Sequence, residues 1–185
     1  MKYLPLICLL VLVGCQPPSC PPMTTQQRAQ QLKTITNWSA EGTLSIDQAP
    51  FSATWTYQHE ANAEQLEVSG QGYFDFKASR QGKEWDIQLD DASYHGSYPN
   101  EFLVSYNIHF PITKLGDLLI GQPNTSLPSS PYGNPRQYQF TQGQATITCY
   151  TCLTGLTLPS QLVLALKHQT IQMKVLRWHV PVDDQ

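Results

Sequence analysis

From Trp38 onward apolar residues recur at every second position, and this alternation sets the expected fold. Trp38, Ala40, Gly42, Leu44 and Ile46 fall on one face of an extended segment, with Asn37, Ser39, Glu41, Thr43 and Ser45 on the other. Asp47-Gln48-Ala49-Pro50 reads as a turn, after which Phe51, Ala53, Trp55 and Tyr57 alternate with Ser52, Thr54 and Thr56. The two segments predict a β-hairpin with one wet face. Further strands are expected around Leu66 and Val68; Phe74, Phe76 and Ala78; and Trp85, Ile87 and Leu89. Gly70 and Gly72, Gln81-Gly82 and Asp90-Asp91 punctuate them. Four late strands are marked by Tyr138 and Phe140; Ala145, Ile147 and Cys149; Leu162, Leu164 and Leu166; and Ile171, Met173 and Val175. The arrangement is an antiparallel meander.

Two regions depart from period two. Thr24 with Gln27 forms a capping pattern ahead of Ala29, Leu32 and Ile35, which predicts a short helix over residues 25–36. Between Tyr98 and Pro123, Phe102, Leu103 and Tyr106 and then Ile112, Leu115, Leu118 and Leu119 keep spacings of three and four. Two short amphipathic helices follow from this, the second starting near Pro111 and ending at Gly121. Residues 124–135, rich in Ser, Pro, Asn and Gly, predict a long loop. Strands with one apolar face, joined by short turns, favour a strongly curved sheet or incomplete barrel whose open apolar side the helices cover. Periodicity does not separate a packed interior from a cavity.

The N-terminus changes the picture. Lys2, an almost wholly apolar run from Leu4 to Val13 and small Gly14 have the form of an export signal, too short at ten residues for the ~20 that span a bilayer. Leu12-Val13-Gly14-Cys15 resembles the lipobox of bacterial lipoproteins, in which the Cys, here Cys15, is lipidated and becomes the new N-terminus. Gln16, where an Asp marks inner-membrane retention, is compatible with the outer membrane. The expected organisation is a signal peptide over 1–14, a Pro-rich tether over 15–23 and one domain over 24–185. The net charge of −3 argues against a nucleic-acid partner, which would need clustered Lys and Arg.

Catalytic patterns are sparse. His59, His95, His109, His168 and His179 are scattered, with no helical pair of zinc-binding spacing, and no nucleophile elbow or phosphate-cradling loop occurs. Cys149-Tyr-Thr-Cys152 invites a redox or metal reading. However, no second Cys pair exists for zinc, no His follows for haem, and the motif sits in a strand pattern rather than at a strand-to-helix turn. A structural disulfide is expected instead, Cys149 with Cys152 or one of them with Cys20, leaving one thiol unpaired. No enzyme activity, metal or cofactor is expected.

Several segments in register resemble the LolB family of outer-membrane lipoprotein receptors. They are the lipobox, the Gln-rich helix leading into Asn37-Trp38-Ser-Ala-Glu-Gly42, and the strand Ser52-Ala-Thr-Trp55-Thr-Tyr57-Gln58. Pro111-Ile-Thr-Lys-Leu115-Gly-Asp-Leu-Leu-Ile120-Gly121-Gln-Pro123 follows, then Leu158-Pro159-Ser-Gln-Leu162 and Ile171-Gln-Met-Lys-Val-Leu-Arg-Trp178. The resemblance spans nearly all of the mature chain. It implies a mainly β fold, a curved antiparallel sheet of about eleven strands capped by helices around an apolar cavity. It also implies a monomer that takes the acyl chains of other lipoproteins from the periplasmic carrier LolA and delivers them to the outer membrane. Together with the inward alternation, it nominates Trp38, Leu44, Ile46, Phe51, Trp55, Tyr57, Leu66, Val68, Phe74, Phe76, Trp85, Ile87, Leu115, Leu118 and Leu119 as the lipid-binding cavity. The family's exposed loop Leu is missing near Ser69-Gly70-Gln71-Gly72, where Tyr73 and Phe74 are the nearest large apolar residues. A reading of another class is a structural or assembly lipoprotein of the envelope with a filled β core.

Overall fold

Residues that alternate apolar and polar bury one face of a sheet, and here the strands do so almost without exception. The computed structural model describes Cys20 and residues 24–47, 51–70, 75–121, 137–140, 143–153 and 155–181. The expected signal segment, Cys15, most of the expected tether, residues 48–50 of the expected turn, residues 71–74 with Phe74, and the expected loop over 124–135 lie outside them. Helix α1 (Thr25–Thr34) is followed by β1 (Trp38–Ile46), β2 (Phe51–Glu60), β3 (Ala63–Gly70), β4 (Asp75–Gln81), β5 (Glu84–Leu89) and β6 (Ala92–Gly96). Helix α2 (Pro99–Ser105), a 3-10 turn (Ile112–Lys114) and α3 (Leu115–Ile120) come next, then β7 (Gln137–Phe140), β8 (Gly143–Leu153), β9 (Leu156–Leu166) and β10 (Thr170–His179).

All ten strands pair antiparallel in one open sheet, in the order β6-β5-β4-β3-β2-β1-β10-β9-β8-β7. Ten strands among the described residues thus stand where about eleven were expected, and the sheet is unclosed. Two meanders, β1–β6 and β7–β10, meet where the first strand pairs with the last. Their seam carries a β-bulge: Glu41 faces Arg177 but Gly42 faces Val175, so Leu176 has no opposite residue and turns outward, 61% exposed. At this place the chain needs glycine. A Cβ on Gly42 would collide with the Lys174 carbonyl and come within 2.9 Å of the Trp55 ring.

The buried face is continuous. Ala40, Leu44, Ala53, Trp55, Tyr57, Leu66, Ala78, Ile87, Ala145, Ile147, Leu162, Leu164 and Met173 all point into one core. Trp38 clamps its end, with Tyr57, His59 and Trp178 rings 5.2, 5.3 and 5.4 Å away. Trp55 satisfies its indole N–H by donating to Thr43 O at 3.0 Å.

The helices behave largely as their spacing predicts. Thr24 caps α1 in a reciprocal capping box, its Oγ1 accepting from Gln27 N at 3.2 Å and its N–H donating to Gln27 Oε1 at 2.8 Å. The helix stops two residues short of the expected end. Gly121 ends α3 in the left-handed conformation, φ 68°. Arg28 of α1 is fully buried and donates to Gly121 O (2.6 Å), Ile120 O (2.8 Å) and Thr157 O (3.2 Å). It therefore caps the carbonyl end of α3 and ties both helices to β9. Burial lowers its pKa, partly countered by the nearby Tyr138 and Tyr150 phenols.

Cys20 bonds Cys152 across 132 residues, with Cα atoms 5.4 Å apart. This is one of the three pairings left open by the sequence, and Cys149–Cys152 is not formed. Closing so long a loop restricts the unfolded chain. Replacing Cys20 and Cys152 together with Ser is expected to cost roughly 2–5 kcal/mol in urea unfolding, with the midpoint lowered. A change below ~1 kcal/mol would show that α1 and its Arg28 contacts already fix the N-terminal segment.

Candidate functional site

An apolar pocket lies at one end of the sheet. The C-terminal end of β1 (Leu44, Ile46) and the start of β2 (Phe51) meet there with Val68 of β3, Phe76 of β4 and Ile171 of β10. Facing them is the segment that leaves α2, with Asn107, Ile108 and Phe110, and Gln169 in the turn before β10 closes the side. These residues enclose a pocket of ≈ 300 Å³. Eight of the ten lining residues are apolar; Asn107 and Gln169 are the polar ones. His109 and His168, the neighbours of these wall residues, bring their rings within 5.2 Å in a tilted contact and join the two walls.

The α2 wall follows from a local backbone event. Asn107 adopts φ 60°, its N–H donating to Val104 O at 2.9 Å while Ile108 N donates to Leu103 O at 2.9 Å. Asn tolerates this left-handed cap better than other non-glycine residues. The chain is thereby turned back over the sheet, which sends Ile108 and Phe110 into the pocket. On the outside of α2, Tyr98, Val104 and Tyr106 are exposed, and Phe102 stacks on Tyr94 at 5.2 Å and meets Tyr106 in a tilted contact at 5.0 Å.

Of the fifteen residues nominated from sequence, Leu44, Ile46, Phe51, Val68 and Phe76 line this pocket. Trp38, Trp55, Tyr57, Leu66, Trp85, Ile87, Leu115, Leu118 and Leu119 are buried in the core away from it, and Phe74 lies outside the described residues. Alternation identifies the inner face, but only part of that face is unfilled. Asn107, Ile108, Phe110 and Gln169 were missed because they sit between elements, where no period operates. The apolar pair flanking His109 just before Pro111 is the one local signal for them.

A polar cluster sits under α3. Glu64 accepts from Arg80 Nη2 at 2.6 Å, His59 Nδ1 stands 3.6 Å from the same oxygen, and the Tyr57 phenol faces it. Burial alone would raise the Glu64 pKa. The His59, Arg80 and Tyr57 groups facing the carboxylate outweigh it and hold the pKa below the usual range. Burial, and then the Glu64 charge, push the Tyr57 phenol far up, so it is neutral throughout the physiological range. Gly116 allows α3 to lie against this cluster, since a Cβ there would be 2.5 Å from the Tyr57 oxygen. Among the described residues no group of three or more His, Cys, Asp or Glu side chains converges as a metal site would, and no helix is long and apolar enough to cross a membrane.

No family model matches the chain, and no curated protein matches it.

A depressed carboxylate pKa contributes stability above the unfolded-state value, which fades as the pH falls through the folded one. Wild-type stability is therefore expected to drop on acidification below about pH 4, and Glu64→Gln to remove that part of the acid limb. At neutral pH Glu64→Gln should cost about 1–3 kcal/mol. Parallel pH–stability curves for the two proteins would show that the cluster does not carry the effect.

Proposed function

We propose that this chain is a lipid-anchored receptor that accepts the acyl chains of lipoproteins from the carrier LolA and passes them to the outer membrane, as the family resemblance implies. On this reading the signal peptide is removed before Cys15, Cys15 is diacylated, and the domain works at the periplasmic face as a monomer without cofactor. The observation that carries the proposal is the apolar pocket bounded by the inner face of the sheet and by the segment leaving α2. A site with so few polar groups suits a ligand recognised by burial of hydrocarbon.

Its size limits what it holds. A methylene fills roughly the ~30 Å³ share of a liquid water, so ≈ 300 Å³ takes about ten of them. At roughly 0.8 kcal/mol per buried methylene, that is a gross gain of about 8 kcal/mol. One chain fits in part; two or three chains require α2 and the segment behind it to move outward. The alternative, an envelope scaffold with a filled core, draws support from the nine nominated residues that pack solidly.

Transfer of a fluorescent lipoprotein from its LolA complex to the domain lacking Cys15, followed by gel filtration, distinguishes them. Stoichiometric transfer is expected. Ile108→Asp, which puts an unpaired charge in the wall outside the sheet, should weaken acyl binding by at least about tenfold with the circular dichroism unchanged. No transfer to a folded wild-type domain would leave the scaffold reading. A mature chain in which Cys15 is found in a disulfide would overturn the lipidation, because an acylated thioether has no sulfur to share.

A further inference from the structure

We propose that the Cys20–Cys152 disulfide determines which end of the domain faces the bilayer, setting the β8–β9 hairpin against the membrane and the pocket toward the aqueous side. The inference rests on the reading of Cys15 as the point of lipid attachment. Only five residue steps separate Cys15 from Cys20. At ~3.6 Å per residue even a fully stretched chain reaches ~18 Å to Cys20, and with Cys152 5.4 Å beyond it across the disulfide, Cys152 stays within about 23 Å of the anchored residue. With the disulfide absent, the first fixed position is the Thr24 cap, nine steps on, and the reach grows to ~32 Å.

The attachment point and the pocket lie at opposite ends of the strands. Cys152 pairs with Thr157 near the start of β9, whereas Leu164 of β9 pairs with Ile171, a wall of the pocket. Seven residues at ~3.3 Å each place the two levels ~23 Å apart along the strand. Helix α1 adds a second attachment at the tether end, because Arg28 donates to Thr157 O at 3.2 Å. A domain held by this end presents its pocket to an incoming carrier, and it must tip about the short tether to bring the pocket to the lipid.

The test uses the full lipidated chain, purified from membranes and reconstituted into phosphatidylethanolamine/phosphatidylglycerol liposomes that contain an acceptor-labelled lipid. A donor dye is attached through a bio-orthogonal residue at His179, at the tether end, or at Lys167, at the pocket end; both positions are exposed. Energy transfer to the bilayer is expected to be greater from the His179 site than from the Lys167 site, and the gap should narrow when Cys20→Ser and Cys152→Ser lengthen the tether. Equal transfer from both sites, or greater transfer from Lys167, overturns the proposal, and this comparison stands even where the double variant fails to fold. Metabolic palmitate labelling of the same preparation separates the two levels of failure. Chain without label refutes the anchor and the orientation together, whereas labelled chain with equal transfer refutes the orientation alone.

Discussion

The pairing of β1 with β10 is the contact on which the rest depends. Each meander assembles from neighbours in sequence, but neither alone encloses a core: β1–β6 and β7–β10 are open sheets with one apolar face. Joining the first strand to the last makes one ten-stranded surface, and the bulge at Glu41/Gly42 bends it where the halves meet. The contacts around that seam are specific to this bend. Gly42 lets the Lys174 backbone approach, the Trp55 ring fills the space beside it, and Trp38 and Trp178 close the end. A long-range pairing of this kind forms only after most of the chain has been ordered, so folding is expected to be slow for a domain of this size.

Bending an open sheet leaves its concave side to be covered, and three short helices cover it unequally. Helix α3 is fixed twice, by Arg28 on its terminal carbonyls and by the Gly116 contact with Tyr57 over Glu64 and Arg80. Helix α2 rests on the edge strand β6 and exposes Tyr98, Val104 and Tyr106. The pocket opens beside the less firmly held helix. Elements with few buried contacts are the ones that yield at low cost, so the place where the core is incomplete is also the place where it can expand.

The strands were legible because each buries one face, and β1, β2 and β10 follow their alternation residue by residue. Strand β6 was not: Ala-Ser-Tyr-His-Gly at the sheet edge buries too little to carry a period, and Asp90-Asp91 could be read only as punctuation. The turn itself is real, with Asp90 at φ 48° and its carboxylate accepting from Asp75 N at 3.3 Å. Arg28 was invisible for a different reason. A charged residue on a Gln-rich helix reads as a solvated position, and only the approach of α3 makes it a buried cap. The pocket was half legible, since inward alternation marks every residue of the inner face equally whether another side chain fills the space in front of it or not.

That last point bears on how such a site works. A receptor between a carrier and a bilayer has to bind hydrocarbon more weakly than the membrane does, and a large preformed cavity would work against release. A pocket of ≈ 300 Å³ supplies a limited gain for the first stretch of chain. Under the proposed function every further methylene would have to displace α2 from β6, and the work of that displacement would be subtracted from ~0.8 kcal/mol per methylene. Affinity then rises more slowly with chain length than it does in a bilayer, where no such work is done. Under the proposed function, the incompletely filled end of an otherwise solid core is thus a means of holding an acyl chain without retaining it.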